Sequence, residues 1–171
     1  MKATKTWKTV ELRIAKDFGV ERTPLSGINS KHTGSDTLHE TFYVEVKHGK
    51  NHIIEMAYKL WRKFHIIHLK SFDGEGFMYH KEDIMRTVEM GLKMKPLTVF
   101  RTNSSIMTLY RKTAIKARAE NKISLVALHA TGATGYLIIS KAEHIAIIRD
   151  ELIRIKELKE EEDGTSKTIT M

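Results

Sequence analysis

The residues best placed to do chemistry are Glu45, Lys47 and, nine positions upstream, Asp36. Glu45-Val46-Lys47 closes the alternating run Phe42-Tyr43-Val44-Glu45-Val46-Lys47. On a strand, residues two apart point to the same side. Glu45 and Lys47 therefore share one face, while Phe42, Val44 and Val46 share the other and can meet a core. Two carboxylates and a lysine so spaced can build a divalent-metal site that hydrolyses phosphodiesters. The triplet alone is a chance-level pattern, because charged residues make up 29% of the chain. Glu157-Leu158-Lys159 repeats it inside a charged helical run that reads as a solvated face. Context has to separate the two copies.

The elements around the first copy follow from periodicity. Trp7, Val10, Ile14 and Phe18 recur at helical spacing and predict a helix over 7–18, stopped by Gly19. Residues 20–26 read as extended, with Pro24 marking an edge or bulge. A polar loop covers 27–34, a short strand 36–39 and the main strand 42–47. A helix is expected over 52–63, then a strand over 64–69, a turn at Asp73-Gly74 and a strand over 77–79. Next come a helix over 81–92, a short strand over 97–100 and a long basic helix over 104–121. A second hairpin, 123–129 with 136–139, precedes a helix over 141–161. From Gly164 onward the composition predicts a flexible tail. Shifted by 61 positions, Ile67, Gly74, Glu82 and Ile84 fall on Leu128, Gly135, Glu143 and Ile145. Chance recurrence of a hairpin followed by a helix is the simpler account of that echo.

A chain of 171 residues with 41% hydrophobic content is most simply one domain with a proper core. No apolar stretch approaches the roughly 20 residues of a membrane helix, and the basic start lacks the apolar segment of a secretory signal. An intracellular, cytoplasmic protein without a membrane partner is expected. The absence of cysteine excludes disulfides, thiolate zinc sites and cysteine nucleophiles, and fits a reducing or a hot interior. Residues 157–163 hold five acids against Lys159, a net of −4, so the rest of the chain carries +12 of the overall +8. Such a surplus suits a polyanion, and nucleic acid is the usual one.

With these elements in place, Glu11-Leu12-Arg13, Phe18-Gly19-Val20, Arg22, Ser26-Gly27, Asp36 and Glu45-Val46-Lys47 together resemble the archaeal-type Holliday junction resolvases. Those enzymes also occur in viruses and belong to the PD-(D/E)xK nuclease superfamily. The resemblance is best over 7–47 and returns more loosely at 109–139. It implies an α/β restriction-endonuclease-like core, a central mixed β-sheet flanked by helices. Residues 64–102 have no counterpart and read as a β-hairpin/helix insertion. The domain is expected to span 1–163, with 164–171 as the tail.

Carried across, Asp36 and Glu45 resemble the principal metal-binding carboxylates and Glu11 the helix acid that assists them. The Val46 carbonyl is expected to complete the coordination. Lys47 resembles the lysine that orients or deprotonates the attacking water, and Ser26 the serine near the scissile phosphate, with Arg22 preceding it as a candidate contact to a DNA phosphate. The implied ion is Mg2+ or Mn2+, which prefer such oxygen donors. Ser35 stands where the nominal motif has proline, a position that varies widely. The implied activity is metal-dependent cleavage of four-way DNA junctions by a homodimer, because two opposed cuts require two active sites. Another nuclease of the superfamily, restriction-like or a nicking enzyme of a mobile element, is the nearest alternative; a non-catalytic DNA-binding protein on the same fold is the other.

Further DNA contacts are assigned from charge and place. Lys31 and His32 lie in the loop just before Asp36, Arg13 follows Glu11 on the first helix, and His48 follows Lys47. Arg111, Lys112 and Lys116 lie on the basic helix. His65 and His68, three apart in an apolar strand, face opposite sides and make no zinc site. Ile145, Ile148, Leu152 and Ile155 form a coiled-coil-like seam, although packing on the chain's own sheet is the stronger expectation.

Overall fold

The computed structural model of the chain describes residues 3–24, 33–71, 74–89, 98–101 and 105–168. The apolar stripe of the first segment forms α1 (Ala3–Asp17). Gly19 then turns the chain at φ +66°, where a Cβ would lie 2.4 Å from Ile155 Cδ1. There follow β1 (Phe42–Gly49), α2 (His52–Phe64), β2 (Ile67–Ser71), β3 (Gly74–His80), α3 (Lys81–Glu89) and β4 (Thr98–Arg101). The order continues with α4 (Ser105–Ala119), β5 (Ile123–Ala130), β6 (Leu137–Ser140), a single 3-10 turn and α5 (Ile145–Thr168). The fold is α/β, a mixed sheet flanked by helices. Among the described residues no helix is long and apolar enough to cross a membrane.

β3 is longer than expected, starting at Gly74, and α5 starts only at Ile145; three further differences have a local cause. Residues 36–39 form no strand; the single bridge there pairs Arg22 with Thr37. Side chains take the place of the ladder: Val44 N donates to Ser35 Oγ at 2.9 Å and Val46 N donates to Asp36 Oδ2 at 2.7 Å. Phe64 belongs to α2, whose apolar face it extends, and His65 ends that helix at φ +59°. The strand therefore starts at Ile67, and His65 lies outside it. α5 runs through Gly164 to Thr168 rather than ending in a tail at 164, since a lone glycine weakens a helix by only ~1 kcal/mol.

Among the described residues six strands lie in the order β1-β5-β6-β3-β2-β4. β1 runs parallel to β5 and β2 parallel to β4; the other neighbours are antiparallel. The pattern reads the same from either edge. The chain makes β-α-β-β-α twice, β1-α2-β2-β3-α3 and β4-α4-β5-β6-α5, with each unit lending its first strand to the other. Phe42 pairs with Ile123 and Thr98 with Ile67, so these strands match at an offset of 56. The two windows of the sequence echo are the hairpins of this arrangement. Residues 67–101 supply three of the six strands, so the segment read as an insertion lies within the sheet. α1 and residues 18–24 and 33–41 have no counterpart in the second unit.

Helices cover both faces. Val10 and Ile14 of α1, Phe18 just after it, Ile84 of α3 and Ile148 and Leu152 of α5 pack on Val44, Val46, Tyr79, Leu125 and Ile138. α2 and α4 cover the other face, with Ile54, Ala57, Ile106, Met107 and Tyr110 against Met78, Val126, Leu128 and Ile139. The α5 seam is thereby consumed inside the molecule: Ile148, Leu152 and Ile155 are all buried.

Candidate active site

The outer edge of β1 gathers the acids. Asp36 is fixed there by its backbone, whose N–H donates to Val44 O at 2.8 Å and whose carbonyl accepts from Thr23 N at 3.0 Å. Its side chain accepts from Val46 N. In a strand a residue's N–H and C=O point to the same side, so the Val46 carbonyl faces the edge that Asp36 occupies. Glu45 and Lys47 project together on the α4 side, with Lys47 Nζ donating to Glu45 Oε1 at 2.6 Å. Lys116 of α4 approaches Glu45 Oε2 at 3.6 Å.

Glu11 approaches from the opposite face, on α1. It is 5% exposed, and its Oε2 is buried and accepts no hydrogen bond, with the Arg22 guanidinium 3.4 Å away. Burial pushes its pKa up to about 7, helped by the Asp36 charge and opposed by Arg22 and Lys47, with Glu45 adding to the rise. The charges of Asp36, Glu45 and Lys47 thus all bear on Glu11.

The donors suit a hard cation. Three carboxylates and a carbonyl are the oxygen ligands that Mg2+ and Mn2+ favour, and Glu11 Oε2 is a buried oxygen that accepts no hydrogen bond. Among the described residues, however, no three His, Cys, Asp or Glu are gathered closely enough to hold an ion as they stand. Glu45 is drawn to Lys47 and Lys116, and Glu11 to Arg22. To share one ion, the carboxylates must exchange these cations for it.

The remaining assigned residues divide. Ser26, Lys31 and His32 lie outside the described residues. Arg22 is turned inward: it pairs with Glu11, donates to Thr23 O at 2.8 Å and sits 5.7 Å from the Trp7 ring centre. Arg13 also turns inward, with a buried Nη2 that makes no hydrogen bond. Its charge bears on His129, whose pKa falls to about 4 through burial first, then Arg13 and His48. His48 Nδ1 stands 2.9 Å from His129 Nδ1, and His129 Nε2 is 3.1 Å from Ala133 O. The bond to a carbonyl makes Nε2 the protonated nitrogen of His129, so His48 donates to its Nδ1. Lys112 and Lys116 are exposed on α4, and Arg111, half-buried, donates from Nε to Met107 O at 3.3 Å.

Two supports of Asp36 escape sequence reasoning. Glu120, just past α4, accepts hydrogen bonds from Thr33 Oγ1 and from Gly34 N at 2.8 Å, and Lys122 lies 3.4 Å away. Burial raises its pKa, but the Thr33, Gly34 and Lys122 contacts outweigh that and hold it below its ordinary value. Tyr43 lies under the same turn; a Cβ at Gly34 would come 2.6 Å from its hydroxyl. The signal for Glu120 was present: it is the single acid in residues 105–122. An acid at a helix C-terminus opposes the helix dipole and needs a partner.

No protein-family model, curated protein or solved structure matches the chain. The site therefore stands on its own geometry and on the motif spacing.

Proposed function

We propose that the chain is a metal-dependent endodeoxyribonuclease of the PD-(D/E)xK type, on a restriction-endonuclease-like core, that cleaves four-way DNA junctions as a homodimer. One observation carries the reading. Residues 36 and 45–47, separated in sequence by a turn, meet at the edge of β1 through the Val46 N to Asp36 Oδ2 hydrogen bond. The buried Glu11 carboxylate joins them from α1.

Glu11, Asp36, Glu45 and the Val46 carbonyl would hold Mg2+ or Mn2+. The ion supplies an activated water and offsets charge on the phosphoryl group. Lys47, now 2.6 Å from Glu45 Oε1, orients the attacking water and stabilises the anionic transition state. Water adds to phosphorus as the bridging P–O bond breaks, and the departing oxygen takes up a proton. Lys112 and Lys116 present positive charge to the backbone beside the site. Two copies of the chain would deliver the two opposed cuts.

The test is incubation of purified protein with a labelled four-way junction, a linear duplex and a single strand, with Mg2+ or with chelator. Paired symmetric nicks in the junction alone support resolution. Cutting of linear duplex at one sequence points to a restriction-like enzyme, and binding without cleavage to a DNA-binding module. Asp36→Asn and Lys47→Ala should each abolish cleavage while junction affinity stays within about twofold, as expected for groups that act mainly in the transition state. Normal cleavage by either variant sinks the site assignment.

A further inference from the structure

The solvent crest of α4 pairs an apolar tip with a cationic surround. Ile115 is 70% exposed, the most exposed large apolar side chain among the described residues. Single exposed apolar residues are ordinary on protein surfaces, so exposure alone says little. Its setting says more. Arg111 and Lys112 stand one turn before it, Lys116 beside it and Arg118 three residues after, and α4 contains no acid. A β-branched side chain on the crest adds neither core packing nor helix propensity. Lys116 also reaches the candidate site through Glu45, so a polyanion engaged there passes over this crest.

Cations need no apolar tip to hold phosphates. An alkyl group gains only by leaving water against another apolar surface. In a regular duplex the base faces are covered by stacking, and an apolar wedge must first unstack a step at a cost of about a few kcal/mol; at a branch or an unpaired position a face is already open. We infer that α4 contacts nucleic acid through Ile115 packed on an exposed base face at a branch point, with Arg111, Lys112, Lys116 and Arg118 on the flanking phosphates. The inference rests on the nuclease reading for its class of ligand and gives that reading a residue that selects structure.

The experiment uses the full chain in chelator, so that binding is read without cleavage. The probes are a four-way junction with 2-aminopurine at the branch and a linear duplex of the same length. Wild type should brighten the branch-point probe. Ile115→Ala and Ile115→Lys should abolish the brightening and weaken junction binding about tenfold, the scale of one lost base contact, with duplex binding held within about twofold. Ile115→Lys keeps the cationic attraction and removes the wedge, so its loss cannot be electrostatic. Unchanged brightening, an equal loss on both DNAs, or no DNA binding by wild type overturns the inference. A wild type that brightens the probe yet never cleaves with Mg2+ supports this inference and sinks the nuclease reading. Cleavage with an unchanged probe signal in Ile115→Ala does the reverse.

Discussion

Glu11 sits where a carboxylate is costly. In the folded chain it holds its proton to about pH 7, against an ordinary value of 4.5. Between those values the folded state binds the extra proton, so stability is full below the lower one and is lost as pH rises through the upper one. Glu11→Gln should therefore match wild type near pH 4 and exceed it above pH 7 by up to about 3 kcal/mol. Denaturant melts at the two pH values check this; an equal difference at both refutes the desolvation account. Mg2+ should also raise the melting temperature of wild type at pH 8 more than that of the variant, because an ion favours the anion that burial penalises. The family resemblance singled this residue out in the sequence, although a lone glutamate on a helix reads as a solvated one. Its inward-facing partner was not legible there: Arg22 looked like a phosphate contact because sequence shows its charge but not the 3.4 Å approach to Glu11.

At the scale of elements, α4 is more than a basic surface. Through Glu120 it grips Thr33 and Gly34, and that grip sets the start of the segment that delivers Asp36. Glu120→Ala removes two hydrogen bonds to a charged group and should cost about 2–4 kcal/mol of stability. It should also slow cleavage well beyond any change in DNA affinity, because α4 keeps its cations while the turn that leads into Asp36 loses its hold. Single-turnover rates set against dissociation constants separate the two; a proportional loss in both argues for a simple folding defect. The main elements were readable because apolar spacing reports them directly. What hid were side chains standing in for backbone. Ser35 and Asp36 satisfy β1's edge in place of a strand, and no periodicity announces that substitution.

For the whole molecule, charge is the property that sequence settles most directly and geometry least alters. The excess of positive charge outside residues 157–163 predicts DNA affinity that falls steeply between 50 and 200 mM salt, by about a hundredfold or more if several phosphates are engaged. A flat response, measured by fluorescence anisotropy on junction and duplex, would remove the basic surface as a DNA face. The sheet was legible only in pieces. Each hairpin could be read locally, yet the exchange of β1 and β4 between the two β-α-β-β-α units depends on pairings some 81 and 31 residues apart. Local pattern carries no record of such distances.

That exchange also sets a timetable. Glu45 and Lys47 lie on a strand whose sheet partner is residues 123–130, so a growing chain has the motif long before it has the site. Early in synthesis β1 waits with its inner edge unpaired, while β2 and β3 can already close their own hairpin. Parallel pairing over such a separation is slow to nucleate. The candidate edge is then among the last parts to assemble, and an unfinished chain carries Glu45 and Lys47 without the scaffold that sets them beside Asp36.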